Sequence, residues 1–173
     1  MKKLILLLFI PLLTFSQNFV GLDVSPMDKA HFSRKKEVAT ITYSRPQLKG
    51  RVLNDILKLN KIWRTGANEA NELLLYVDIE INNIVVPKGK YKIFTYLEEK
   101  EITFIISSST KMFGGANAYN SEMDVLRFKV PKRKAKESLE AFSIVFSNKG
   151  KQPQIHFGWE YMRFDIPFKI LGK

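Results

Sequence analysis

From residue 73 onward, apolar and polar positions alternate with a period of two, the pattern of strands that bury one face. Leu75, Val77, Ile79 and Ile81 fall on one side of such a run, and Tyr76, Asp78 and Glu80 on the other. Asn82-Asn83 then supplies a hairpin turn, because asparagine tolerates a left-handed backbone. Ile84 to Val86 follow, and Pro87-Lys88-Gly89-Lys90 turns the chain again. Tyr91 to Leu97 is the next strand, and Ile102 to Ile106 is apolar enough for the middle of a sheet. A polar loop with Gly114-Gly115 precedes Val125 to Val130, where Leu126, Phe128 and Val130 oppose Arg127 and Lys129. The charged stretch from Pro131 to Ser138 reads as a surface connection. Phe142, Ile144 and Phe146 alternate into a further strand, closed by Asn148-Lys149-Gly150-Lys151. Ile155, Phe157, Trp159 and Tyr161 make the last long face, continued by Phe164, Ile166 and Phe168 beyond an irregularity at Met162-Arg163. An earlier strand covers Val38 to Tyr43.

About eight strands with turn signals between them predict an all-β fold, an antiparallel β-sandwich or a jelly-roll-like arrangement. The exception lies at residues 53–61, where Leu53, Ile56 and Leu57 give one short helical stripe. No repeat or low-complexity linker divides the chain, so residues 18–173 are expected to form a single domain. At about 156 residues it is long enough to bury a core without staples.

The first seventeen residues have the makeup of a signal peptide. Lys2 and Lys3 form a positive n-region, Leu4 to Leu13 an apolar h-region, and Thr14 and Ser16 the small residues of a cleavage site. Ten apolar residues interrupted by Pro11 are too few to span a bilayer, and no later run is long enough, so no transmembrane segment is expected in the mature chain. The chain has no cysteine, which excludes disulfides and anchoring by a lipidated cysteine. The expected location is therefore periplasmic or extracellular. The formal net charge is +11, of which Lys2 and Lys3 contribute two. Apart from Arg34-Lys35-Lys36 and Lys132-Arg133-Lys134 with Lys136, the basic residues are dispersed and lack interleaved aromatics, which argues against nucleic acid. Both runs read as solvated loops. A partner for the charge would be an anionic glycan or another cell-envelope polyanion.

The densest chemistry is in two compact blocks, Tyr43-Ser44-Arg45-Pro46 and Trp63-Arg64-Thr65-Gly66-Ala67-Asn68-Glu69-Ala70. With Ser25-Pro26-Met27-Asp28, Lys49-Gly50-Arg51, Lys88-Gly89-Lys90-Tyr91, Asp124-Val125-Leu126-Arg127 and Pro167, they resemble the signature blocks of the domain-of-unknown-function family 2911. The likeness covers essentially the whole mature chain. It implies an exported bacterial β-rich domain and brings no established activity. The chain departs from the family pattern at Leu53 to Lys58, at Ile102 and at His31-Phe32-Ser33, where a ligand site built on those loops would be reshaped.

Arg45, Lys49, Arg51, Arg64 and Arg127 could converge as a cradle for phosphate, sulfate or carboxylate, since guanidiniums bind oxyanions through two parallel hydrogen bonds. The competing reading pairs each arginine internally, with Glu69, Asp124 or Glu160, as a clamp between loops and sheet. Thr65 to Asn68 would present backbone amides to an anion or form a plain turn. Glu69, Glu72, Asp124 and Glu160 are the carboxylates nearest the blocks, and a suitably spaced pair would serve glycoside cleavage. His31 and His156 are the only histidines, and their spacing matches no metal motif, so neither a metal nor a cofactor is expected. Without a Gly-x-Ser-x-Gly elbow, no Ser-His-Asp arrangement can be recognised. Trp63 and Trp159 read as core residues.

The sequence thus points to a non-enzymatic binding or envelope-associated module. Its candidate anion site gathers Arg45, Arg51, Arg64, Asn68, Glu69 and Arg127. The alternatives are a glycan-acting hydrolase using a carboxylate pair, and a purely structural arginine–carboxylate clamp.

Overall fold

A computed structural model describes residues 21–111, 117, 119–148 and 152–171. The expected leader, the Gly114-Gly115 loop and the turn at 149–151 lie outside them. The described residues form twelve strands and one short helix, all strand pairs being antiparallel. The fold is a β-sandwich without a closed barrel. Its main sheet runs β1 (Met27–Ser33), β2 (Glu37–Ser44), β4 (Glu72–Leu75), β7 (Gly89–Leu97), β8 (Glu101–Ser107) and β9 (Asp124–Pro131), with β3 (Ile62–Trp63) also on β7. The second layer is β10 (Arg133–Ser147) with β11 (Gln154–Pro167), and a small sheet joins β12 (Lys169–Ile170), β5 (Ile79–Ile81) and β6 (Ile84–Val86).

Alternation decides what is buried. Ile93, Thr95 and Leu97 stand opposite Ile106, Phe104 and Ile102, which in turn oppose Leu126, Phe128 and Val130, so one face of the main sheet is almost wholly apolar. That face meets the second layer through aromatic rings. Phe32 packs on Phe146 and Phe168, Tyr43 and Trp63 on Phe142, and Phe104 on Phe157, at centroid distances of 4.8–5.8 Å. Trp159 is fully buried, and Trp63 stacks on it at 5.7 Å. Both tryptophans are therefore core residues.

Several expected elements come out differently. The run from Leu75 to Ile81 is two strands, because the chain leaves the main sheet at Tyr76 and enters the small one at Ile79. Asp78 fixes that crossing by accepting the amides of Lys88 and Leu171. Asn82 and Asn83 do form the following turn, with φ of 49° and 62°. The helix is only Leu53–Ile56, since the backbone is extended at Leu57 and left-handed at Asn60. The charged segment after Pro131 is the first part of β10, its lysines and glutamates exposed. A strand can carry such charges when both its faces at that point look outward.

The last face breaks earlier than expected. Glu160 has φ 47°, and burial passes from Ile155, Phe157 and Trp159 to Met162, Phe164 and Ile166, leaving Tyr161 exposed. At this point β11 doubles back. The Phe168 amide donates to the Pro153 carbonyl, His156 contacts Asp165, the Phe157 and Phe164 rings stack at 4.5 Å, and the Arg163 side chain lies over Gly158. These contacts step in opposite directions along the chain, as in an antiparallel hairpin with Glu160 and Tyr161 at its tip.

Candidate functional site

The Trp63–Ala70 block is a detour in a strand. Trp63 stands opposite Thr95 of β7, and Leu73 opposite Tyr91. Between those pairs β7 has three residues and the other chain nine, so β3 and β4 are one strand interrupted by a loop. Asn71 bridges the gap. Its Oδ1 accepts the Ile93 amide at 2.7 Å, while its Nδ2 donates to the Ile93 carbonyl at 2.7 Å and to the Arg64 carbonyl at 2.6 Å. The carboxamide thereby replaces the missing peptide group of the ladder. The loop itself is pinned by Trp63 Nε1 donating to Gly66 O at 3.0 Å and by the buried Thr65–Thr95 hydroxyl pair at 3.2 Å. Gly66 suits this crowded spot, because a Cβ there would lie 3.3 Å from the Ser44 carbonyl.

The six residues expected to gather around this block are not one cluster. Arg45 donates to Phe142 O at 3.0 Å and Ser143 Oγ at 2.8 Å and pairs with Asp28 at 3.1 Å, tying β2 to β1 and β10. Arg51 closes its own loop through the Leu48 and Gln47 carbonyls. Asn68 donates to Asp23 and to the Ser25 carbonyl, beside the Pro26 carbonyl that receives the Arg45 amide. Arg127 lies across the sheet on β9, bound to Asp124 and Tyr119. Burial of the Tyr119 hydroxyl, reinforced by its bond to Asp124, pushes its pKa up to about 12. Arg64 and Glu69 are half-buried, and neither side chain makes a hydrogen bond or ion pair among the described residues. Arg64 lines a hollow of about 260 Å³ with Trp63, Trp159 and Leu57.

On the other side of Leu57 lies a larger groove of about 640 Å³. Its floor is Leu53 from the helix, Leu57 just after it, Leu97 from the end of β7, and Met162 beyond the β11 tip, all under 9% exposed. Leu59 and Tyr161 rise at its rim, 45% and 41% exposed. Lys100, Lys132, Arg133 and Lys134 surround it, against the two carboxylates Glu99 and Glu160. Arg133 is held by Asp165, Lys132 donates to the Glu98 carbonyl at 2.9 Å, and Lys134 sits 5.7 Å over the Tyr161 ring. None of the three lysines forms an ion pair among the described residues. Glu160 therefore combines a left-handed backbone, which costs a residue with a Cβ about 1–2 kcal/mol, with a half-buried carboxylate at a cationic, apolar groove. Of the four carboxylates singled out in the sequence, only Glu160 lines it.

The family model for "Protein of unknown function (DUF2911)" matches residues 25–168. The chain belongs to this family. The match to DUF2911 runs from the serine that anchors Asn68 to the phenylalanine that closes the β11 hairpin, so the detour, the groove and the arginine clamps all lie inside it. The comparisons with curated proteins and with solved structures each gave no match. The groove was missed in the sequence because its wall comes from a helix remnant, a strand end and a hairpin tip far apart along the chain. The signal available was the phase slip at Glu160-Tyr161, which exposes an aromatic beside a lysine run.

Proposed function

We propose that this DUF2911 protein is a binding module of the cell envelope whose groove between the helix and the β11 tip, itself non-enzymatic, holds an amphiphilic anion, an acyl chain bearing a phosphate or carboxylate head. The observation that carries the reading is the coexistence of a buried leucine–methionine floor with lysines that have no carboxylate partner among the described residues. Apolar lining with a few converging charges is the usual makeup of a small-molecule site, and the groove's volume falls in the usual range of roughly 300–1,000 Å³. The leader-like N-terminus, and the net charge of +9 left without the leader's Lys2 and Lys3 (11 − 2), support delivery to an anionic envelope surface. Arg64 belongs to the proposal as a further cation one side chain away, across Leu57.

The clamp reading is favoured for Arg45, whose guanidinium is taken up by three partners on two neighbouring strands. The carboxylate-pair hydrolase has no comparable support, since Glu72 faces Lys90, Asp124 faces Arg127, and only Glu160 lines the groove. Displacement of a fluorescent fatty acid tests the proposal. Saturable binding that is lost in Leu57→Glu and weakened about tenfold in the Lys132→Ala, Lys134→Ala double variant is expected. Equal binding by all three proteins would remove the groove from consideration.

A further inference from the structure

The outward face of the second layer carries a row of hydrogen-bonded side chains that the groove does not use. On β10, Phe142, Ile144 and Phe146 point to the core, so Ser147 points out. On the two arms of β11, Ile155, Phe157, Phe164 and Ile166 are buried, which puts His156 and Asp165 on that same outward face. Ser147 Oγ lies 2.7 Å from His156 Nε2, and His156 Nδ1 lies 2.7 Å from Asp165 Oδ1. The other oxygen of Asp165 is held by Arg133. Side-chain exposures of 33% for His156 and 25% for Asp165 leave the row open to solvent.

The order of atoms gives the row its chemistry. An ionised carboxylate has no proton to give, so Nδ1 of a neutral His156 must carry one and donate it to Asp165. Nε2 is then the bare nitrogen and can only accept, and the hydrogen on Ser147 Oγ points at it. A hydroxyl bonded to an oriented base is the makeup of an activated nucleophile. Arg133 fixes Asp165 from the far side, as a positioning residue. Beside Ser147, Arg34 Nη2 donates to Asn148 Oδ1 at 2.7 Å.

We propose that Ser147, His156 and Asp165 form a second, catalytic site that transfers short acyl groups from esters to water. Ser147 Oγ bonds to the ester carbonyl carbon as its proton moves to His156 Nε2. The carbon–alkoxide bond then breaks, and the departing alcohol takes that proton. Water attacks the acyl-serine while giving a proton to Nε2, the acid leaves, and the proton returns to Ser147 Oγ. Asp165 keeps its charge throughout and stabilises the imidazolium. Arg34 and Arg133 flank the row, which is partly open to solvent, so the substrate class is an O-acyl ester borne on an exposed anionic chain.

The full chain is incubated with a fluorophosphonate and mapped by peptide mass, alongside hydrolysis of 4-nitrophenyl acetate. The expected result is one adduct on Ser147 and an esterase rate that disappears in Ser147→Ala. Loss of the base in His156→Gln is expected to lower the rate at least about 100-fold, and Asp165→Asn to lower it with the serine still present. An absence of adduct on Ser147 in the wild-type protein overturns the proposal without any variant being needed. So does an esterase rate that Ser147→Ala leaves unchanged, and the row is then a cross-strand tie only.

Discussion

Asn71→Ala should be among the most damaging polar substitutions at the described residues. Asn71 is 2% exposed and Ile93 fully buried, and the carboxamide satisfies both the N–H and the C=O of Ile93 as well as the Arg64 carbonyl. Alanine keeps the backbone and removes all three partners. Each buried backbone group left unpaired costs about 1–3 kcal/mol, so stranding the two Ile93 groups alone predicts a loss of about 2–6 kcal/mol. Against a total stability of about 5–15 kcal/mol, that is a large fraction. Urea unfolding followed through Trp63 and Trp159 should show a much lower midpoint with an unchanged slope. Asn71→Asp should do no better at neutral pH, because a carboxylate would face the Arg64 and Ile93 carbonyls, and it should recover somewhat in acid as that carboxyl protonates. Asn68→Ala is the control, since its side chain is exposed and bonds only Asp23 and the Ser25 carbonyl. An Asn71→Ala protein within 1 kcal/mol of wild type, or no less stable than Asn68→Ala, would refute the idea that this amide completes the ladder.

Three further outcomes are expected. Arg45→Met should cost about 1–2 kcal/mol, mostly through the Phe142 carbonyl it leaves behind, because the half-exposed pair with Asp28 adds little; chemical denaturation measures it. In an alkaline absorbance titration one tyrosine should ionise near pH 12, and Tyr119→Phe should remove that step. Because the folded value lies above the ordinary value of 10.0, the stability Tyr119 contributes is present below about pH 10 and declines as pH rises toward 12. Glu160→Asn should raise the unfolding midpoint by the equivalent of about 0.5–1 kcal/mol, since asparagine accepts φ 47° more readily; a lower midpoint would mean the glutamate carboxylate itself stabilises the tip.

Period-two alternation was a sound guide wherever a strand has one wet face. It placed β7, β9 and the core side of β10, while a continuous apolar run placed β8 and the asparagine pair fixed the β5–β6 turn. It failed where the chain changes sheet without changing its pattern, as between Leu75 and Ile79, and where a strand doubles back on a single left-handed residue, as at Glu160. The Trp63 block was conspicuous for its composition, and much of that density goes into the hydrogen bonding that closes a detour. Asn71, one residue beyond the block, does more of that closing than any arginine within it. The row Ser147, His156, Asp165 carries no local motif. Its only trace is an even nine-residue spacing across two hairpins, which becomes a constellation only once β11 is known to fold back.

The claim most open to direct test is that the groove takes an amphiphilic anion. Amide chemical shifts should be followed while dodecyl phosphate is added below its micelle concentration, with inorganic phosphate and dodecanol as parallel titrations. Saturable shifts gathered at Leu53, Leu57, Leu97, Lys132, Lys134, Tyr161 and Met162, much weaker with either half of the ligand alone, are the predicted result. Shifts that are absent, that gather elsewhere, or that survive Leu57→Glu would contradict it.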